Sequence, residues 1–275
     1  MIIDIEWVRD HYEDQNVRLV DCRFHLQEKG LGRRQYLENH IPGAVYFDLE
    51  KDLSGSVQKH GGRHPLPDMA EFIRKLENAG ISNDTTVIAY DSGTDAIAAR
   101  FCWMLEYVGH KNAYLLNGGI GRWKKEGLAL EAAESVYPSV TYIPSRRENV
   151  LATYSEVKEQ VRNPSNGKAL LDSREYSRYA GMAEPIDKRP GHIPGAINVP
   201  WMEGLEDGLF QEREKQKLRF RHLNPDTELI VYCGSGVTAA PNYIALKQAG
   251  FQKVKVYIGS YSDWVSYDEN PVETK

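Results

Sequence analysis

The chain repeats itself. His40-Ile41-Pro42-Gly43-Ala44 recurs letter for letter as His192-Ile193-Pro194-Gly195-Ala196. Upstream, Leu19-Val20-Asp21-Cys22-Arg23 matches Leu170-Leu171-Asp172-Ser173-Arg174, and downstream Asp84–Asp91 matches Asp226–Cys233. Gly118 and Trp123 have counterparts at the same spacing in Gly259 and Trp264. The matches keep their order at offsets of 141–152 residues. That period is far longer than a solenoid unit, so each copy can enclose its own core. We therefore expect two similar domains, residues 1–135 and 150–275. The stretch between them, 136–149, carries two prolines and the pair Arg146-Arg147 and reads as a linker.

Inside each copy, strand-length apolar runs alternate with helical patterns. Val87–Tyr90 is followed by a polar loop, a helical period over Ala96–Val108 that stops at Gly109, and a second apolar run at Ala113–Leu116. The second copy repeats this with Leu229–Tyr232, a helix from about Thr238 to Ala249 that stops at Gly250, and Val254–Tyr257. Asp68-Met-Ala-Glu71 and Thr153-Tyr-Ser-Glu156 fit the pattern in which a cap and a third-position glutamate open a helix. Strand–helix–strand alternation predicts an α/β fold, each domain a mainly parallel sheet flanked by helices. Functional groups in such folds gather at the carboxyl ends of strands.

Composition narrows the partners. Of 275 residues, 41% are hydrophobic and 27% charged, which suits a packed globular protein rather than a disordered one. The formal charge of −5 argues against nucleic acid or an anionic membrane surface as the general partner. The N-terminus meets acidic residues at once and offers no apolar core of a signal peptide. Ala96–Val108 is interrupted by Arg100 and Glu106 and is too short to span a bilayer. Cys22, Cys102 and Cys233 form neither a disulfide framework nor a Cys-x-x-Cys pair. A reducing cytoplasm is the expected location.

The strand-end rule directs attention to the residues just past Leu229–Tyr232. There the chain reads Cys233-Gly234-Ser235-Gly236-Val237-Thr238 and then enters a helix. Two glycines permit a tight curl that aims successive backbone N–H groups at the sulfur, and the helix adds the positive end of its dipole. Both favour the thiolate, the nucleophilic form of cysteine. A lone cysteine is more often a core residue; in this loop the balance reverses.

The loop, the duplicated His-Ile-Pro-Gly-Ala and the Asp-x-Arg after the first strand of each copy resemble the tandem-domain rhodanese family of sulfurtransferases. The resemblance spans nearly the whole chain. It implies that only the C-terminal copy is catalytic; Asp91 stands where Cys233 stands in the other copy, and an aspartate cannot carry a transferable sulfur. Within the family, Cys-Gly-Ser-Gly-Val-Thr is closest to the 3-mercaptopyruvate sulfurtransferases, whereas thiosulfate-using members more often place basic residues directly after the cysteine.

The resemblance implies a two-stage reaction. The Cys233 thiolate takes sulfur from a small anionic donor as a persulfide, and a thiol, cyanide or a thioredoxin-like protein reductant removes it, with no metal or organic cofactor. It further implies a proton relay of Ser235, His64 and a carboxylate, for which Glu50 is the candidate and Asp52 the second choice. Arg178, in Arg178-Tyr179-Ala180-Gly181, is expected to grip the donor carboxylate in the bidentate way that lysine cannot reproduce. A second arginine is expected near Asp187-Lys188-Arg189, with Arg189 the candidate. Gly234, Gly236, Val237 and Thr238 are expected to line the donor site.

Duplicated residues point the other way. Asp172 and Arg174 recur as Asp21 and Arg23 in the copy expected to be inactive, so we expect structural ion pairs. His40 and His192 are expected in turns, Trp123 and Trp264 in cores, and Cys22 and Cys102 as inert thiols. A cysteine phosphatase is excluded by the residue six places after Cys233, which is Ala239 rather than a phosphate-binding arginine. The remaining alternatives are thiosulfate:cyanide sulfur transfer and a non-catalytic rhodanese-like binding module.

Overall fold

The computed structural model describes residues 1–93 and 96–275. They form two compact units, residues 1–55, 66–147 and 207–209 in the first, and residues 56–65, 148–206 and 210–275 in the second. The ten residues 56–65 thus belong with the second unit, although the sequence repeat assigns them to the first copy.

In the first unit the chain runs through β1 (Ile2–Ile3), α1 (Ile5–His11), β2 (Val17–Asp21), α2 (Leu31–Glu38), β3 (Val45–Tyr46), α3 (Met69–Asn78), β4 (Thr86–Tyr90), α4 (Ala96–Tyr107), β5 (Ala113–Leu116) and α5 (Gly119–Lys125). The strands pair in the order β1-β5-β4-β2-β3, all parallel. In the second unit it runs through α6 (Tyr154–Arg162), β6 (Lys168–Asp172), α7 (Tyr176–Tyr179), β7 (Ile197–Asn198), α8 (Arg213–Arg219), β8 (Glu228–Tyr232), α9 (Ala239–Ala249), β9 (Val254–Val256) and α10 (Ser260–Trp264). Its sheet order is β9-β8-β6-β7, again all parallel.

The central strands β4 and β8 are buried along nearly their whole length, which is why they read as continuous apolar runs rather than alternating ones. Helix boundaries fall within a residue of the punctuation in the sequence. Gly109 (φ +90°) and Gly250 (φ +107°) take the left-handed conformation that ends a helix. Thr153 and Glu156 form the reciprocal cap of α6, and Asp68 accepts the N–H groups of Ala70 and Glu71 at the start of α3.

The duplicated residues build the same scaffold twice. Arg23 grips Asp21 and donates to the Asn39 carbonyl at 2.7 Å; Arg174 grips Asp172 and donates to the Gly191 carbonyl at 2.7 Å. Tyr90 and Tyr232 each accept a backbone N–H, from Ile41 and Ile193, at 3.2 Å. His40 stacks on Tyr36 and His192 on Tyr179, and each ring Nδ1 lies against the carbonyl of that tyrosine. Trp123 and Trp264 fill the two cores.

The segment read as a linker has a defined course as far as Arg147. It runs along the first unit, with Tyr137 Oη donating to the Gly43 carbonyl at 2.7 Å, Tyr142 N–H to Glu77 at 3.0 Å and Arg147 N–H to the Tyr107 carbonyl at 2.8 Å. Among the described residues no helix is long and apolar enough to cross a membrane.

Candidate active site

Strand β8 delivers Cys233 to the carboxyl edge of the second sheet, where its side chain is 1% exposed. The backbone of the loop is pinned from the side of α10. Tyr261 N–H donates to the Cys233 carbonyl and Ser262 N–H to the Gly234 carbonyl, both at 2.9 Å, and Cys233 N–H donates to Ser260 Oγ at 3.1 Å. The chain then turns back so that Gly236 N–H donates to Cys233 Sγ at 3.1 Å. Val237 and Thr238 complete the turn, and α9 begins at Ala239.

The two glycines serve different ends. Gly236 sits at φ +77°, and a Cβ there would lie 2.3 Å from the Ile258 carbonyl oxygen, so both conformation and space demand glycine. Gly234 is not left-handed. Its bareness makes room for cations: a Cβ would lie 3.0 Å from Arg63 Nη2 and 3.4 Å from Arg178 Nη1.

The equivalent strand end of the first unit carries a carboxylate. Asp91 accepts N–H groups from Gly93 at 3.0 Å, Ile97 at 3.1 Å and Ala98 at 3.4 Å, while its carbonyl accepts from Ile120 at 3.0 Å. The strand end of the first unit therefore holds a hydrogen-bonded carboxylate where the second unit holds Cys233.

Residues 60–64 are fastened against α10 and the residues after it. Gly61 N–H donates to Asp263 Oδ1 at 2.7 Å, and Tyr257 Oη donates to Asp263 Oδ2 at 2.5 Å. The His60 ring stacks on Tyr267 with centroids 3.8 Å apart. Gly62 (φ +83°) passes so close to the Gly259 carbonyl that a Cβ would approach it to 2.4 Å. Arg63 N–H then donates to Ser262 Oγ at 3.2 Å. The result is that His64 Nδ1 lies 2.9 Å from Ser235 Oγ, both side chains being buried.

Beside Gly234 stands a group of charges. Arg178 donates to Glu184 through Nε at 3.1 Å and Nη2 at 2.7 Å, and to Asp187 at 2.9 Å. Asp187 also pairs with Arg63. Burial pushes the Asp187 carboxyl above its ordinary value against the pull of the two arginines. Burial also pushes Glu184 up, but the bonds from Arg178 and from the N–H groups of Asp187 and Ile186 outweigh it, so that carboxyl stays below its ordinary value.

The model of the rhodanese-like domain matches residues 4–126 and again 153–267. The chain belongs to the rhodanese-like domain family. A protein of Pseudomonas aeruginosa named probable 3-mercaptopyruvate sulfurtransferase is 43% identical over 267 residues, 95% of this chain and 93% of that one. A putative thiosulfate sulfurtransferase, SseB of Mycobacterium tuberculosis, is 35% identical over 93% of this chain and 90% of its own. The crystal structure of SseA, a 3-mercaptopyruvate sulfurtransferase of Escherichia coli, superimposes with a TM-score of 0.84 at 30% identity, covering 95% of this chain and 98% of that one. This rhodanese-family chain is accordingly a sulfurtransferase of the tandem form.

Two further candidates of this rhodanese-family chain have other partners. Glu50 belongs to the first unit, where its carboxylate pairs with Lys29 at 3.2 Å and is 38% exposed. Arg189 donates to the carbonyls of Asn270 at 2.9 Å and Tyr267 at 3.3 Å, which ties down the C-terminal segment. The guanidinium that joins Arg178 at Gly234 is that of Arg63. Arg63, Glu184 and Asp187 escape a reading of the sequence alone. The usable signal is the run Gly61-Gly62-Arg63-His64, in which paired glycines allow a close backbone approach to another segment.

Proposed function

We propose that this sulfurtransferase takes sulfur from 3-mercaptopyruvate onto Cys233 and passes it to a thiol acceptor, with cyanide or a thioredoxin-like protein dithiol able to serve. The Cys233 thiolate attacks the donor sulfur. The sulfur–carbon bond breaks, its electron pair passes to carbon, and pyruvate leaves as its enolate. The sulfhydryl proton of the donor ends on that carbon, leaving a persulfide anion on Cys233 and neutralising the enolate. The acceptor thiol then attacks the outer sulfur, leaves as its own persulfide and returns the Cys233 thiolate. Splitting the transfer into two displacements is ordinary covalent catalysis.

The observation that carries the donor assignment is the hydrogen bond between Ser235 and His64 within the loop that holds the sulfur. A proton must move from sulfur to carbon, and a serine paired with an imidazole is suited to move it. Thiosulfate as donor needs no such transfer. Gly236 N–H supports charge on Cys233 Sγ, and Arg178 beside Gly234 offers the donor carboxylate its Nη1 edge. Three free cysteines and a persulfide intermediate suit a reducing compartment such as the cytoplasm.

The deciding measurement is kcat/KM for 3-mercaptopyruvate against thiosulfate, with one acceptor at one pH. A preference for 3-mercaptopyruvate is expected; a preference for thiosulfate overturns the donor assignment. Donor-treated protein should gain the mass of one sulfur atom at Cys233, removable by reductant, and Cys233→Ser should gain none. Sulfur found on Cys22 or Cys102 instead would overturn the nucleophile.

A further inference from the structure

Six side chains of the second unit form a row of alternating charge. Asp172 pairs with Arg174 at 2.6 Å, Arg174 with Glu184 at 3.2 Å, Glu184 with Arg178 at 2.7 Å, Arg178 with Asp187 at 2.9 Å, and Asp187 with Arg63. The four interior members each have an opposite charge on both sides. The inner end, Asp172, is fully buried, whereas the outer end, Arg63, is 33% exposed and has a single acidic partner. Such a row is neutral as a whole, yet it turns a positive end toward the loop of Cys233.

The geometry of that end is specific. Arg63 spends Nη1 on Asp187, while its Nη2 is the atom nearest the space above Gly234. Arg178 spends Nε and Nη2 on Glu184 and Asp187, while its Nη1 faces the same space. Among the described residues neither Arg63 Nη2 nor Arg178 Nη1 has a hydrogen-bond partner. Two guanidinium edges with N–H groups to offer thus converge one residue from the nucleophile. Asp187 pairs with both arginines and so holds Arg63 and Arg178 side by side. The donor's sulfur and carboxylate are separated by two carbons, a reach comparable with the roughly 3.8 Å between neighbouring Cα atoms.

We infer that Arg63 is the second donor-binding cation of this enzyme, held by Asp187 so that it and Arg178 grip one carboxylate above Gly234. This assignment rests on the persulfide reading, and it makes residues 63 and 64 a unit: one binds the donor, the next serves its proton. Asp187 acts as a positioning residue.

The test separates binding from turnover. Calorimetry with 3-mercaptopyruvate and the unreactive Cys233→Ser protein gives a Kd for the donor without sulfur transfer. Adding Arg63→Ala should weaken that Kd about tenfold, and adding Arg63→Lys should recover part of the loss, since a lysine keeps the charge without the fork. In the otherwise native enzyme Arg63→Ala should raise KM by a similar factor and leave kcat at saturating donor within about threefold. A change in Kd of less than threefold in both Arg63 variants, with Arg178→Ala showing the full loss, overturns the assignment while leaving the persulfide reading intact. Donor binding that depends on Arg63 in a protein that never forms the persulfide would fail the reading and uphold the assignment.

Discussion

The carboxylate of Asp91 stands in the first unit at the strand end where the thiol of Cys233 stands in the second. Each stands at the end of a central strand of a parallel sheet; Asp91 accepts the N–H groups of Gly93, Ile97 and Ala98, and Cys233 Sγ accepts that of Gly236. The same strand end thus carries a hydrogen-bonded carboxylate in one copy and a hydrogen-bonded sulfur in the other. Replacing Asp91 with Ala should leave its N–H donors short of an acceptor and cost roughly 1–3 kcal/mol of stability. Turnover at saturating donor should be unchanged. Urea unfolding and a steady-state assay on the same preparation check both halves.

Gly236 is expected to tolerate nothing larger. Alanine there meets a left-handed φ and a carbonyl oxygen 2.3 Å from its Cβ. The conformational part alone is about 1–3 kcal/mol. Because the N–H of the same residue donates to Cys233 Sγ, relief of the clash must displace that donor. Gly236→Ala should lose at least tenfold in kcat even where the variant is folded, read by rate and circular dichroism together.

Ser235→Ala and His64→Asn should behave alike with 3-mercaptopyruvate. Each breaks the same hydrogen bond, and loss of general acid–base assistance typically lowers rates by about 10²-fold or more. The double variant should be little worse than either single one, since the two residues act together. Turnover of thiosulfate should fall far less. Equal losses with both donors would assign the pair a structural part.

Acid should act through Glu184. A carboxyl held below its ordinary value stabilises the fold above its unfolded pKa, and that contribution disappears as pH falls through the folded value. Asp187 has the opposite sign: its folded value is raised, so ionising it detracts from stability as pH rises through that window. Glu184→Gln should therefore be most destabilising at neutral pH, and the gap to the native chain should narrow below about pH 4. Urea unfolding at a series of pH values measures the gap.

Much of the molecule is legible in its residues alone. The fold class comes from the repeat and from apolar runs of strand length, because a strand buried on both faces cannot alternate. The proposed nucleophile comes from a cysteine at a strand end beside glycines. Ser235 and His64 are joined beforehand through resemblance alone; 171 residues separate them and no local pattern links them. The second cation we propose is not the one the resemblance suggests. Arg189 donates to the carbonyls of the C-terminal segment, whereas Arg63 stands at Gly234. Arg63 comes from a distant stretch whose attachment depends on a buried aspartate, Asp263, and on a glycine that lets two backbones nearly touch. Gly234, expected to bend the chain, instead leaves space for guanidinium groups. Side-chain traffic of that kind has no period and no motif.

The membership of residues 56–65 in the second unit has a consequence for dissection. A gene cut between the two repeats would yield a C-terminal half bearing the sulfur atom but neither the imidazole nor the outermost guanidinium. Such a fragment is expected to be a poor surrogate for the parent enzyme.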